Sequence, residues 1–277
     1  MKKGLRNTVM SLATLLALVS CGAPQVTEEV AKQRVQEISE RRQQEDFKLP
    51  TKITITEKSK IDAIMNLEGM EMNVKENIDL KMVLDLDNYY YYMETITSAG
   101  AMKSWSYIEG NNLIIAQEDP SGKTYSEVPL EKPENYIDEL SASIELVYEL
   151  VLGDELLQIT NLEEPLLDSL GITGTFDSDI SYTSSAEGNL GIAIEANISD
   201  VSIDIEEGTA PIKISSSLDA KISFDNYLLS SITETMSGNI VVEDVNMDIK
   251  SSKSTLKIKY GVASLDKPNL SNFEKSN

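Results

Sequence analysis

Long runs with apolar residues at every second position constrain this 277-residue chain more than any other feature. The longest clean run consists of Ile78, Leu80, Met82, Leu84 and Leu86. A β-strand with one buried face and one wet face requires this period of two. Similar runs, separated by short turn-forming segments, fill residues 52–128 and return after Gly171. The pattern therefore predicts two series of antiparallel hairpins.

Three segments have the features of helices instead. Residues 27–46 begin with Thr27, a good capping residue. Their acidic residues come early and their arginines late, which suits the helix dipole. The apolar stripe of this segment is thin, which fits a solvated stalk or a helix resting lightly on the body. A broad apolar stripe predicts a buried helix near 133–153, and a shorter helix is predicted near 164–170. We expect the latter two helices to cover apolar sheet surface in an α+β fold.

The first twenty residues have the features of an export signal. Three cations precede an apolar run over 9–19 that is too short to span ~30 Å of hydrocarbon as a helix. The run ends at Leu18-Val19-Ser20-Cys21-Gly22, which resembles the lipobox of bacterial lipoproteins. This resemblance implies cleavage before Cys21 and a diacylglyceryl thioether on its sulfur. An ordinary secretory signal with an incidental cysteine is the alternative.

The chain is thereby predicted to have four parts. These are a signal peptide at 1–20, a lipidated tether and polar helix at 21–50, an antiparallel β domain at 51–268, and a polar tail at 269–277. Two or more acyl chains hold a protein stably on a bilayer, because each buried methylene contributes ~0.8 kcal/mol. We therefore expect a monomer anchored to the cell membrane through Cys21 and facing outside the cytoplasm.

Composition argues against several classes of function. The chain contains no histidine and one cysteine, which removes Ser-His-Asp catalysis, most zinc sites and disulfide bonds. Its net charge of −22 becomes −25 when the three cations of the signal are removed, and such a surface repels nucleic acid. We expect a protein that is not an enzyme and that uses no metal or cofactor.

The order of helix, strands, helix and strands behind a lipobox resembles the LolA/LppX-like lipid-carrier superfamily. The resemblance spans roughly residues 51–268 and rests on Tyr91–Gln117, on Leu228–Tyr260, and on Tyr260-Gly261 followed by Lys267-Pro268. It implies a strongly curved antiparallel sheet, an incomplete barrel, whose concave apolar face is covered by helices. It also implies that acyl chains lie between the sheet and the helices.

Methionine suits the lining of such a pocket, because its side chain is unbranched and polarizable. Strand-like segments carry Met65, Met70, Met72, Met82, Met93, Met102 and Met247. We predict a ligand pocket lined by Met65, Met72, Met82, Leu84, Trp105, Ile144, Val147, Tyr148 and Val151. Filling of an ordinary core is the alternative role for each methionine.

The leading prediction is a surface lipoprotein that binds or carries a lipid or another apolar ligand. In the alternative, the same sheet is solidly packed and forms an adhesion or scaffold module that binds a protein or a glycan.

Overall fold

The computed structural model describes residues 23–67, 69–132, 136–137, 140–158, 172–203, 212–242 and 245–276. The predicted signal peptide, Cys21 and the helix predicted near 164–170 lie outside these residues.

Three helices have both ends within the described residues. They are α1 (Glu28–Arg42), α2 (Ser141–Leu152) and α3 (Asp154–Gln158), with 3₁₀ turns at Leu86–Asn88 and Leu270–Asn272. The hydroxyl of Thr27 accepts a hydrogen bond from the Val30 amide at 3.4 Å and caps α1. Gly153 ends α2 in the left-handed conformation. Among the described helices, none combines the length and apolar character that a membrane crossing needs.

Thirteen strands make up most of the described chain. They are β1 (Gln25–Val26), β2 (Lys52–Leu67), β3 (Met70–Asp85), β4 (Tyr90–Thr97), β5 (Gly100–Glu109), β6 (Asn112–Asp119), β7 (Gly122–Pro129), β8 (Ile172–Thr183), β9 (Leu190–Ile203), β10 (Ile212–Asp225), β11 (Leu228–Val242), β12 (Val245–Tyr260) and β13 (Glu274–Lys275).

All thirteen strands belong to one sheet in the order β1-β8-β9-β10-β11-β12-β2-β3-β4-β5-β6-β7-β13. Neighbouring strands are antiparallel except for β7 and β13, which run parallel. The two halves of the chain join where β12 pairs with β2, from Val245 opposite Leu67 to Tyr260 opposite Ile53. The sheet has two free edges and does not close.

The predicted incomplete barrel with helices covering its concave face is therefore wrong. Twelve strand spacings of ~4.8 Å make the sheet ~58 Å wide. At 1.5 Å per residue, α1 is only ~22 Å long and α2 only ~18 Å. In the described residues, α1 packs mainly against β8 and β9, and α2 against β11. Helices of this length leave much of the sheet uncovered.

Both faces of the sheet carry a packed core, because neighbouring residues on a strand point to opposite sides. Leu84 belongs to a large cluster that α1 and α2 cover. Val83 belongs to a second cluster around Trp105, which is covered by residues 263–273. The Trp105 indole nitrogen donates a hydrogen bond to the Asp266 carbonyl at 2.8 Å, which fixes this tail on the sheet.

We call the two sides of the sheet the methionine face and the lysine face. The methionine face is the side that carries Ile53, Met65 and Leu84. The lysine face is the side that carries Lys81, Val83 and Trp105.

Candidate functional site

All methionines beyond the predicted signal lie on the methionine face. The chain contains ten methionines, and Met1 and Met10 belong to the signal. Met65 lies directly opposite Met72 on one side and Met247 on the other, and directly opposed residues share a face. The pairing register and strand alternation place the remaining five on the same face: Met70, Met82, Met93, Met102 and Met236.

The helices among the described residues cover only one end of the methionine face. At that end, Ile53 and Leu84 pack tightly with Ile144, Val147 and Val151. At the other end, near the turn between β2 and β3, 62% of Met70 and 43% of Met72 is exposed. Neighbouring Met65 and Met247 are half-buried. Apolar surface that is exposed over several neighbouring strands is typical of a binding site. We call this end the open methionine end.

Most strand lysines share one face of the sheet, whereas carboxylates lie on both faces. The lysine face carries Lys52, Lys58, Lys60, Lys75, Lys81, Lys103, Lys123, Lys213, Lys221, Lys253, Lys257 and Lys259. The methionine face carries the carboxylates of Glu57, Glu76 and Glu234. Lys250, at a β-bulge, pairs with Asp248 of the lysine face.

A small polar cluster divides the packed end of the methionine face from the open methionine end. Glu57 Oε1 accepts hydrogen bonds from the Ser59 hydroxyl at 2.7 Å and from the Ser254 hydroxyl at 3.0 Å. Glu234 lies directly opposite Ser254 on the neighbouring strand. Apolar residues flank the cluster along β2, from Ile55 on one side to Ile61 on the other.

Buried tyrosines serve packing in this fold. The Tyr136 hydroxyl donates a hydrogen bond to the Ser106 carbonyl at 2.9 Å, and burial raises the pKa of Tyr136. The Tyr90 hydroxyl donates to the Asp266 carbonyl at 3.0 Å, and burial raises the pKa of Tyr90 to about 12. These phenols are protonated donors at neutral pH. In the described part of the chain, no group of three or more acidic or cysteine side chains is arranged to hold a metal.

Comparisons with known proteins leave the family of this chain open. No family model matches it, and no curated protein matches it. The ywiB protein from Bacillus subtilis is similar at 10% identity and a TM-score of 0.14, over 78% of this chain and 95% of that one. An outer membrane channel from Pseudomonas putida F1 is similar at 7% identity and a TM-score of 0.19, over 78% of this chain and 98% of that one. A β-barrel-like protein from Brucella abortus is similar at 8% identity and a TM-score of 0.19, over 77% of this chain and 99% of that one. Such low TM-scores carry no argument about function.

The structure divides the predicted pocket residues among three places. Met82, Leu84, Ile144, Val147 and Val151 are buried in the helix-covered cluster, with Tyr148 packed beside them. Met65 and Met72 lie at the open methionine end. Trp105 belongs to the cluster on the lysine face, because it pairs with Tyr92, which pairs with Val83. The predicted residues therefore do not line one pocket.

A groove of about 630 Å³, which no sequence pattern indicated, lies between α1, residues 47–49 and the α2–α3 junction. Its apolar lining consists of Val35, Phe47, Leu49, Leu152 and Leu157. Arg42 also lines it, but its guanidinium already donates to the carbonyls of Leu152 and Tyr227 and to Asp154. The open methionine end is the better candidate site, because the groove's cation already has partners.

Proposed function

We propose that this protein is a lipid-anchored surface protein that faces outside the cytoplasm and binds a lipid or another apolar ligand. In this proposal the ligand lies on the open methionine end, and no reaction is catalysed. The supporting observation is that all eight methionines beyond the signal share one face and that Met70 and Met72, which are 62% and 43% exposed, lie beyond the described helices.

Methionine gives this surface the properties that acyl-chain binding needs. Its flexible thioether side chain adapts to ligands of different shape. Each methylene group of a ligand that is removed from water contributes ~0.8 kcal/mol. The strand alternation keeps the neighbouring polar side chains, such as Glu71 and Asn73, on the opposite face. An alkyl chain laid along β2 and β3 would therefore meet a mainly apolar surface.

Lipidation of Cys21, as the lipobox predicts, would hold the sheet close to a bilayer. The Pro24 carbonyl accepts a hydrogen bond from the Ser184 amide at 3.0 Å, and Gln25 pairs with Thr183. Three residues separate Cys21 from Gln25 at the sheet edge, and the four Cα–Cα steps between these two residues span ~14 Å at most. The pairing register places Val26 of β1 level with Glu57 of β2, so the open methionine end at Met65 lies ~27 Å further along the strands.

Lipid extraction followed by mass spectrometry tests this proposal on the chain from Gly22 onward, which lacks the lipidation site. We expect co-purifying lipid, and we expect displacement of a fluorescent alkyl probe when lipid is added. The double variant Met70→Gln/Met72→Gln should weaken probe binding about threefold or more, because exposed apolar surface is lost. Glu71→Gln, on the same strand but on the lysine face, is the matched control and should bind normally.

The single tryptophan provides a check on folding in the same samples. Trp105 is buried on the lysine face, so its emission reports the fold rather than the occupancy of the methionine face. Absence of lipid and of probe binding in a correctly folded protein would contradict the proposal. That result would favour the solidly packed adhesion or scaffold module instead.

A further inference from the structure

The distribution of charge on the sheet restricts the head group of a ligand on the methionine face. Twelve strand lysines share the lysine face, so they point away from a ligand on the other side. An anionic head group on the described strands of the methionine face would meet the carboxylates of Glu57, Glu76 and Glu234. A carboxylate repels a nearby anionic head group and attracts a nearby cationic one.

Glu57 is placed to receive the head group of a bound amphiphile. It is half-buried between the packed end of the face and the open methionine end. Its Oε1 atom accepts hydrogen bonds from Ser59 and Ser254. Burial beside apolar side chains strengthens an interaction with a cation relative to the same pair in water. An alkyl chain that starts at this cluster would run over Ile61 and Met65 toward Met70 along the strands.

A second carboxylate extends this polar strip toward β11. Glu234 is exposed and lies opposite Ser254, on the side of β12 away from β2.

We infer that the methionine face binds amphiphiles with a cationic head group in preference to neutral or anionic ones. The inference rests on the proposed function and assigns the ligand class of the same site. The alkyl chain occupies the open methionine end, and the head group lies beside Glu57 and Glu234.

Three amphiphiles with the same twelve-carbon chain test the inference by isothermal titration below their critical micelle concentrations. They are dodecyltrimethylammonium, dodecyl maltoside and dodecanoate. We expect dodecyltrimethylammonium to bind most tightly and dodecanoate most weakly. Added salt should weaken the cation's binding and leave the maltoside's unchanged, because only the former depends on charge.

Variants separate a local charge effect from the large net charge of the protein. Glu57→Gln/Glu234→Gln should weaken the binding of dodecyltrimethylammonium about threefold to fivefold, which is the scale of partly exposed charge contacts. The affinity for dodecyl maltoside should not change. Glu71→Gln/Glu195→Gln removes the same amount of charge from the lysine face and should change the affinity for neither amphiphile. Trp105 emission checks that every variant is folded.

Three different results would count against the inference. Binding of dodecanoate or dodecyl maltoside as tight as that of dodecyltrimethylammonium would overturn the head-group preference and leave the proposed function intact. Absence of binding by all three amphiphiles would overturn the proposed function together with the inference. An equal loss of cation binding in both double variants would assign the preference to net charge and reject the role of Glu57 and Glu234.

Discussion

Arg42 connects three parts of the chain through one buried guanidinium. Its side chain is 8% exposed and donates hydrogen bonds to the Leu152 and Tyr227 carbonyls, both at 2.8 Å, and to Asp154 at 2.6 Å. Burial lowers its pKa, and Asp154 opposes that change. The side chain therefore ties the end of α1 to the α2–α3 junction and to the turn between β10 and β11.

Replacement of Arg42 by alanine should lower the free energy of unfolding by about 2–3 kcal/mol, because two carbonyls lose their donor. Urea unfolding measures this change. Arg41→Ala is the matched control, since Arg41 pairs with Asp46, whose side chain is 76% exposed. The control should change the free energy of unfolding much less, because water screens an ion pair with an exposed partner. Equal losses in the two variants would contradict the assigned role.

Single residues show where sequence reasoning stops. Alternation correctly indicates that Met65 and Leu67, or Met70 and Met72, share a face of their own strand. It does not reveal that Trp105 lies on the other face of the sheet from Met65, because that depends on the pairing of β3, β4 and β5. Likewise, the sequence identifies Arg42 as a favourable residue at a helix end. Its carbonyl partners lie 110 and 185 residues away in sequence.

At the scale of elements, period and capping residues locate helices and strands well but do not determine what covers them. The sequence indicates a helix after Thr27, and α1 begins at Glu28. The wide apolar stripe near 133–153 suggests a helix that covers sheet, and α2 packs there. How much of the sheet is covered depends on the number of strands in it, which no local pattern specifies. For that reason the predicted helix-covered barrel is wrong.

The C-terminal segment is mostly polar, and its sequence pattern does not indicate that two of its residues pack on a core of the sheet. Leu270 and Phe273 pack on the cluster around Trp105, and the Phe273 ring lies 6.1 Å from the indole in an edge-to-face arrangement. Phe273→Ala should lower the free energy of unfolding by about 1–2 kcal/mol, less than a fully buried phenylalanine would.

The same variant should shift the emission of Trp105 to longer wavelength, because water reaches the indole. Ser271→Ala, at an exposed position of the same segment, should change neither stability nor emission. Unchanged emission in Phe273→Ala would show that residues 263–273 do not cover Trp105 in solution.

At the scale of the whole molecule, the absence of histidine and the many buried tyrosines determine how stability depends on pH. Burial raises the pKa of Tyr90 from its ordinary value of 10.0 to about 12 and also raises the pKa values of Tyr107, Tyr136 and Tyr260. An unfolded chain would lose these protons near pH 10, before the folded protein does. The stabilisation is therefore complete below pH 10 and is lost as the pH rises toward the folded pKa values.

We expect the urea midpoint to be nearly constant from pH 6 to 9 and to fall steeply above pH 10. Tyr90→Phe should make the alkaline fall shallower, because one of the contributing groups is gone. An unchanged midpoint up to pH 11.5 would show that these tyrosines are not buried in the folded protein.

The predicted anchor can be tested on the tryptic peptide that runs from Cys21 to Lys32. Mass spectrometry of the protein from its native membrane should detect this peptide with a diacylglyceryl group on the cysteine and without residues 1–20. A free thiol at Cys21, or retention of the preceding residues, would favour an ordinary export signal instead.

Methionine-methyl NMR with a spin-labelled long-chain alcohol tests most directly whether a ligand lies on the open methionine end. The label should broaden the signals of Met65, Met70, Met72 and Met247 before that of Met82, which is only 9% exposed. A reporter methionine introduced by Asn73→Met on the lysine face should stay sharp. Equal broadening of that reporter, or no broadening of any methionine, would contradict ligand binding at the open methionine end.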